Sequence, residues 1–175
     1  EDPKLYPIDA ARYRGVIERA CKEAGWGKKM PKGRALGLAA HNSFASYCAV
    51  VVDVEVTDAG EVIIHRADMA FDCGPQINPD RVKSQLEGAC VMGAGIALMT
   101  EITAKDGRIE QNNFHQYLVP RIPQAPKEIH VHAVNNNIDV PAGGVGEPGM
   151  PPVAPAICNA IFAATGKRIR SLPVA

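Results

Sequence analysis

The chain has 175 residues, 46% hydrophobic and 22% charged, enough for one compact domain with its own core, or two small lobes, and not the composition of a disordered segment. Nineteen Lys+Arg balance nineteen Asp+Glu, so the basic stripe with which a nucleic-acid binder neutralises phosphates is missing. No apolar run approaches the roughly 20 residues that cross a bilayer, and Glu1-Asp2-Pro3-Lys4 lacks the regions of a signal peptide. The sequence reads as soluble, with cytoplasmic and periplasmic placement both open.

In chain order, Ile8 to Ala24 carries apolar residues at helical spacing, with Asp9 near its start and Gly25 after its end, and predicts an amphipathic helix. A short basic loop, Gly27 to Gly33, leads to strands over Arg34 to Ala40 and Ser46 to Val56. The second alternates valines at 50, 52, 54 and 56 with Asp53 and Glu55, which predicts one buried face. Turn residues Asp58-Ala59-Gly60 then return the chain as a strand over Val62 to Ala70, an antiparallel hairpin. Asn78-Pro79-Asp80 is a helix start, with an N-cap, a proline at the first position and an acid near the positive end of the dipole. The helix is expected to run to about Met99. On it Gln85, Ala89, Gly93 and Ala97 recur every fourth residue, so one face bears a glutamine followed by small side chains that another backbone or a ligand can approach.

Beyond Lys105-Asp106-Gly107, a turn between two short strands, Asn112 to Pro126 reads as an ordered loop that contains His115; His41 is also assigned to a polar loop. Glu128 to Val134 alternates as a half-buried strand ended by Asn135, Asn136 and Asn137. Nine of the fifteen residues from Pro141 to Pro155 are Gly or Pro, a stretch selected for backbone shape. A helix from about Pro152 to Thr165, closed by Gly166, and a last strand from Ile169 to Val174 complete the chain. The expected fold class is α+β, a mixed but mostly antiparallel sheet with packed helices, formed by residues 1–175 as a single module.

Cysteines 21, 48, 73, 90 and 158 form no C-x-x-C pair, and an odd count leaves a free thiol; they read as buried small hydrophobes, which argues against an iron–sulfur or structural zinc site within the chain. His130 and His132 share a strand face but lack a third ligand, so no metal site is expected. Gly144-Val145-Gly146-Glu147-Pro148-Gly149 has the letters of a dinucleotide-binding turn. No parallel strand leads directly into it, Glu147 and Pro148 oppose a pyrophosphate, and no acid follows about 20 residues on. What remains is a single carboxylate, Glu147, presented by a glycine-rich turn before a helix. A general base is held this way, and a solvated turn glutamate would read the same.

Several segments in order, Asp72-Cys73-Gly74, Asn78-Pro79, Gln85-Leu86-Glu87-Gly88-Ala89 and the glycine hexad with its helix, resemble the C-terminal part of the molybdenum-cofactor-binding large subunit of the xanthine oxidase and aldehyde oxidase family. His41-x-Ser43-Phe44-x-Ser46-Tyr47 and Asn113-Phe114-His115 look most like the isoquinoline 1-oxidoreductase large-subunit branch. The resemblance runs from about Trp26 to the last residue. It implies an oxidoreductase in which Glu147 takes the proton from a molybdenum-bound hydroxide that attacks an N-heterocycle or aldehyde. Gln85, Gly144, Val145 and Gly146 would contact a molybdopterin cofactor, expected in its cytosine dinucleotide form. Ala89 stands where many relatives have a second glycine.

Full large subunits are several times longer, so the chain is expected to be a C-terminal fragment, inactive alone and without durably bound cofactor. Its partners would be the remainder of the subunit, a small subunit with two [2Fe-2S] clusters and a small-molecule substrate. Two further readings are a non-catalytic docking or assembly module that uses the small-residue helix face, and a dinucleotide-binding domain, which would need a parallel sheet.

Overall fold

The computed structural model describes residues 7–134 and 137–174. Helix α1 (Ala10–Ala24) starts two residues later than expected because Asp9 caps it: the Asp9 side chain accepts from the N–H groups of Ala11 and Arg12, and the Gly25 N–H closes the far end on the Lys22 carbonyl. Strands β1 (Arg34–Ser43), β2 (Ser46–Val56) and β3 (Val62–Asp72) form an antiparallel meander. β1 runs three residues further than its composition predicts, so His41 lies on a strand and not in a loop. After β3 come α2 (Pro79–Leu98), a small hairpin of β4 (Ala104–Lys105) and β5 (Arg108–Ile109), and two 3-10 turns. β6 (Glu128–Ala133) then joins the main sheet parallel to β3, giving the order β1-β2-β3-β6. The sheet is mixed and mostly antiparallel, and the fold is α+β. Helix α3 (Val153–Thr165) follows the glycine and proline segment.

β2 is buried on both faces, not one. Cys48, Val50, Val52 and Val54 face the layer made by α2 and α3, where Leu86, Cys90, Val153 and Ile157 are fully covered. Tyr47, Ala49 and Val51 face α1 through Val16 and Ala20. Each fully buried valine stabilises the fold by about 1.5–3 kcal/mol, so the central strand anchors both layers. Asp53, whose polarity made that face look solvated, is buried but held by Arg34, Nε to Oδ1 at 2.6 Å and Nη2 to Oδ2 at 2.9 Å.

The expected last strand does not form. Among the described residues 169–174 pair with no strand; the Val174 N–H instead donates to the Ala97 carbonyl at the end of α2, at 2.7 Å. Of the three asparagines expected to end β6, Asn135 and Asn136 lie outside the described residues.

Candidate active site

The glycine and proline segment before α3 is held at one end of the sheet. Gly143 N–H donates to the Cys73 carbonyl just past β3, at 2.8 Å, and Gly144 N–H to the Phe44 carbonyl in the β1–β2 turn, at 2.8 Å. The Ser46 hydroxyl donates to the Gly144 carbonyl at 2.6 Å. A side chain at Gly143 would run into Ser46 Oγ, and a Cβ at Gly144 would lie 2.8 Å from that of Phe44. These glycines are required by close packing on the hairpin. Phe44 and Ala45 turn that hairpin with φ of 52° and 59°, the left-handed conformation that glycine or asparagine usually supplies.

Past the anchor the loop turns at Glu147, whose carbonyl accepts from Met150 N–H at 3.0 Å. Pro148 and Gly149 are buried, with Gly149 against Leu86, Ala89 and Met69, while the Glu147 side chain stays exposed. The turn thus fixes where that carboxylate starts from. It faces a cleft of about 530 Å³ that Gln85, Gly88 and Ala89 of α2 also line, together with Gly146 and, from β1 and its turn, His41, Ser43 and Phe44. A Cβ at Gly146 would stand 3.7 Å from Gln85 Nε2, so loop and helix are in contact at this point. Glu147, Gln85 and Gly146, read from two separate motifs, therefore meet. Val145 and Gln85 also border a second cleft of about 500 Å³ on the side of Cys73 and Arg81. Both backbone polar groups of Gly144 are engaged within the chain.

The small-residue face of α2 divides into two parts. At Gly93 a Cβ would come within 2.6 Å of Val153 Cβ, so α3 occupies that position. At Gly88 nothing lies within 4 Å, and the helix surface is bare toward the cleft. The docking-module reading loses most of its surface to this internal packing. The dinucleotide reading loses its sheet: among the described residues only β3 and β6 run parallel, and β6 ends at Ala133, well before the glycine hexad.

Among the described residues no three His, Cys, Asp or Glu side chains gather to hold a metal. His130 and His132 stack at 6.4 Å, but His132 Nε2 is 2.9 Å from Asp68 Oδ1 and His130 Nε2 is 3.0 Å from Glu128 Oε2. Burial works against the Asp68 charge, yet hydrogen bonds from Arg66 and His132 outweigh it and hold the carboxyl below its ordinary range. The five cysteines are free; burial pushes the Cys90 thiol up to about 12 and Cys48 higher still, so both are inert.

Two features of this end of the fold have no local signal in the sequence. One is the pair Arg12–Asp72, Nε to Oδ2 at 3.0 Å and Nη2 to Oδ1 at 2.7 Å, which ties α1 to the end of β3; Asp72 Oδ1 also accepts from Gly74 N–H. The other is His41, half-buried on β1, where burial lowers its pKa and favours the neutral ring.

A four-stranded mixed sheet with helices on both faces carries a glycine-built loop at one end and a bare helix surface beside it. Residues 13–126 match the family described as Molybdopterin cofactor-binding domain, and the chain belongs to that family, in the large-subunit group of the xanthine oxidase and aldehyde oxidase type. It is 33% identical over 167 residues to isoquinoline 1-oxidoreductase subunit beta of Brevundimonas diminuta, covering 93% of this chain and 21% of that protein. It is 33% identical over 171 residues to a membrane-bound aldehyde dehydrogenase (pyrroloquinoline-quinone) of Gluconacetobacter polyoxogenes, covering 94% and 22%. Among solved structures, the aldehyde oxidoreductase of Desulfovibrio gigas superposes with a TM-score of 0.64 at 30% identity, over 73% of this chain and 14% of that one. The chain spans about a fifth of the length of the curated relatives it matches. No helix among the described residues is long and apolar enough to cross a membrane.

Proposed function

We propose that this chain supplies the base-bearing loop and one wall of the molybdopterin site in a molybdenum hydroxylase, an oxidoreductase that hydroxylates an N-heterocycle or oxidises an aldehyde with oxygen from water. The observation that carries the reading is the meeting of Glu147 and Gln85 in one cleft. The residues there fit a flat pterin. Gly88 leaves the helix surface bare, and among the described residues none pairs with the Gln85 amide or accepts from the N–H groups of Val145 and Gly146.

When bound, the cofactor supplies an activated oxygen and takes up two electrons. Gln85, Val145 and Gly146 hold and orient it; Gly144 acts through the placement of the loop. Glu147 is the general base, accepting at a carboxylate oxygen the proton that the oxygen nucleophile gives up. Closure of the cleft by further polypeptide keeps bulk water away from that carboxylate.

On this reading residues 1–175 are a single module from the C-terminal part of a longer large subunit. The remainder of that subunit completes the pocket, and a small subunit with two [2Fe-2S] clusters takes the electrons onward. The cofactor is the cytosine dinucleotide form, and the 175-residue chain alone neither retains it nor turns over. Replacing Glu147 by Gln in the complete enzyme is expected to lower kcat by about 10²- to 10⁴-fold with the molybdenum content unchanged. Retained turnover at full molybdenum content would remove Glu147 from this role. Metal analysis and cofactor extraction are expected to give molybdenum and a pterin, and a quinone in their place would overturn the cofactor assignment.

A further inference from the structure

We infer that His41 is the hydrogen-bonding group that recognises the substrate in the Glu147 cleft, and that it selects a flat, apolar molecule carrying one hydrogen-bonding ring atom. This rests on the reading of Glu147 as the base.

The cleft is otherwise apolar where a substrate would lie, between Phe44, Met92, Met150 and Pro151. Phe44 is 56% exposed and Met92 59% exposed. Thioether and ring surfaces of this kind receive an aromatic face well. Gln85 and Glu147 are taken by the cofactor and the proton transfer, which leaves His41 and Ser43 as the polar side chains of the wall. His41 has no hydrogen-bond partner among the described residues, and in its neutral state one ring nitrogen donates while the other accepts, so it serves either a ring nitrogen or a carbonyl oxygen. Ser43 is two residues on, on the same strand face, and its hydroxyl is buried without a partner. That oxygen is covered, which leaves His41 as the side chain of the wall placed to hydrogen-bond a ligand.

The test is equilibrium binding of isoquinoline and its carbocyclic counterpart naphthalene to the complete, molybdenum-loaded enzyme. The wild type is expected to prefer isoquinoline. His41→Ala is expected to weaken isoquinoline binding about tenfold and leave naphthalene binding and molybdenum content unchanged. His41→Phe keeps a ring without the hydrogen bond; it carries the test if the alanine variant fails to assemble, and is expected to lose the preference likewise. A preference that survives both substitutions, an equal loss for the two ligands, or a wild type without saturable isoquinoline binding would overturn the inference. Glu147→Gln separates the two readings. Turnover in that variant removes the base, and with it the site that the His41 role assumes, whereas an intact preference in the His41 variants sinks the recognition role while the base stands.

Discussion

The Gly144 N–H donates to the Phe44 carbonyl at 2.8 Å, and the space a side chain at Gly144 would need is filled by the Phe44 side chain. The loop that bears Glu147 is therefore seated on the β1–β2 turn by direct backbone contact. Gly144→Ala is expected to push the loop off its seat. A displacement of about 1 Å at a catalytic group can cost about 10²-fold in rate, and a loss of that order is expected in kcat of the complete enzyme. Phe44→Gly removes the opposing Cβ, so the double variant should recover loop position, visible as kcat above that of Gly144→Ala alone.

Phe44 and Ala45 hold left-handed backbone angles without being glycine or asparagine. Such residues cost about 1–2 kcal/mol each. Asn at 44 with Gly at 45, the residues this turn prefers, is expected to raise unfolding stability by about 1–2 kcal/mol in urea titrations. The same change strips an apolar wall from the cleft, so substrate KM should rise as stability improves.

Arg12 and Asp72 are an almost fully covered ion pair, with side chains 14% and 1% exposed. Removing Arg12 takes its charge-assisted hydrogen bonds away from the buried Asp72 carboxylate, and a hydrogen bond to a charged group contributes about 1.5–3 kcal/mol. Arg12→Ala is expected to fall in that range by chemical denaturation. Because the pair joins α1 to β3, amide exchange should rise first along α1.

Asp68 contributes stability that depends on pH. Its folded pKa lies below the ordinary carboxylate value of 3.8, so the contribution is complete above that value and is lost as pH falls through the depressed folded pKa. Asp68→Asn is expected to be less stable than the wild type near neutral pH. The gap should narrow in acid once the wild-type carboxyl takes up its proton. A gap independent of pH between 2 and 6 would assign the loss to packing and not to charge.

Much of this architecture is written in local signals. Asp9 and Asn78 mark helix starts because a short polar side chain can satisfy the N–H groups left open there; Asn78 caps as read, and Asp9 is the cap itself and not the first turn. The motif resemblance singles out Glu147 and Gln85 as candidates, and both line one cleft. What escaped depends on partners distant in sequence. Whether the Asp53 face of β2 is buried depends on Arg34 and α1, which the strand's own alternation does not carry. The strand expected at the C-terminus has the right alternation but pairs with neither edge strand, and Val174 finds its acceptor on a helix. Phe44-Ala45 belongs to no turn vocabulary, so neither the hairpin that seats the loop nor the extension of β1 over His41 has a local signal.

Helices cover both faces of β2, so the middle of the sheet is closed to a ligand. Whatever the cleft admits is decided at the sheet's rim, by a two-residue turn, a glycine loop and one bare helical turn. Those pieces can be altered a residue at a time without disturbing the valines beneath, which leaves the specificity of the site free to change while the scaffold stays constant.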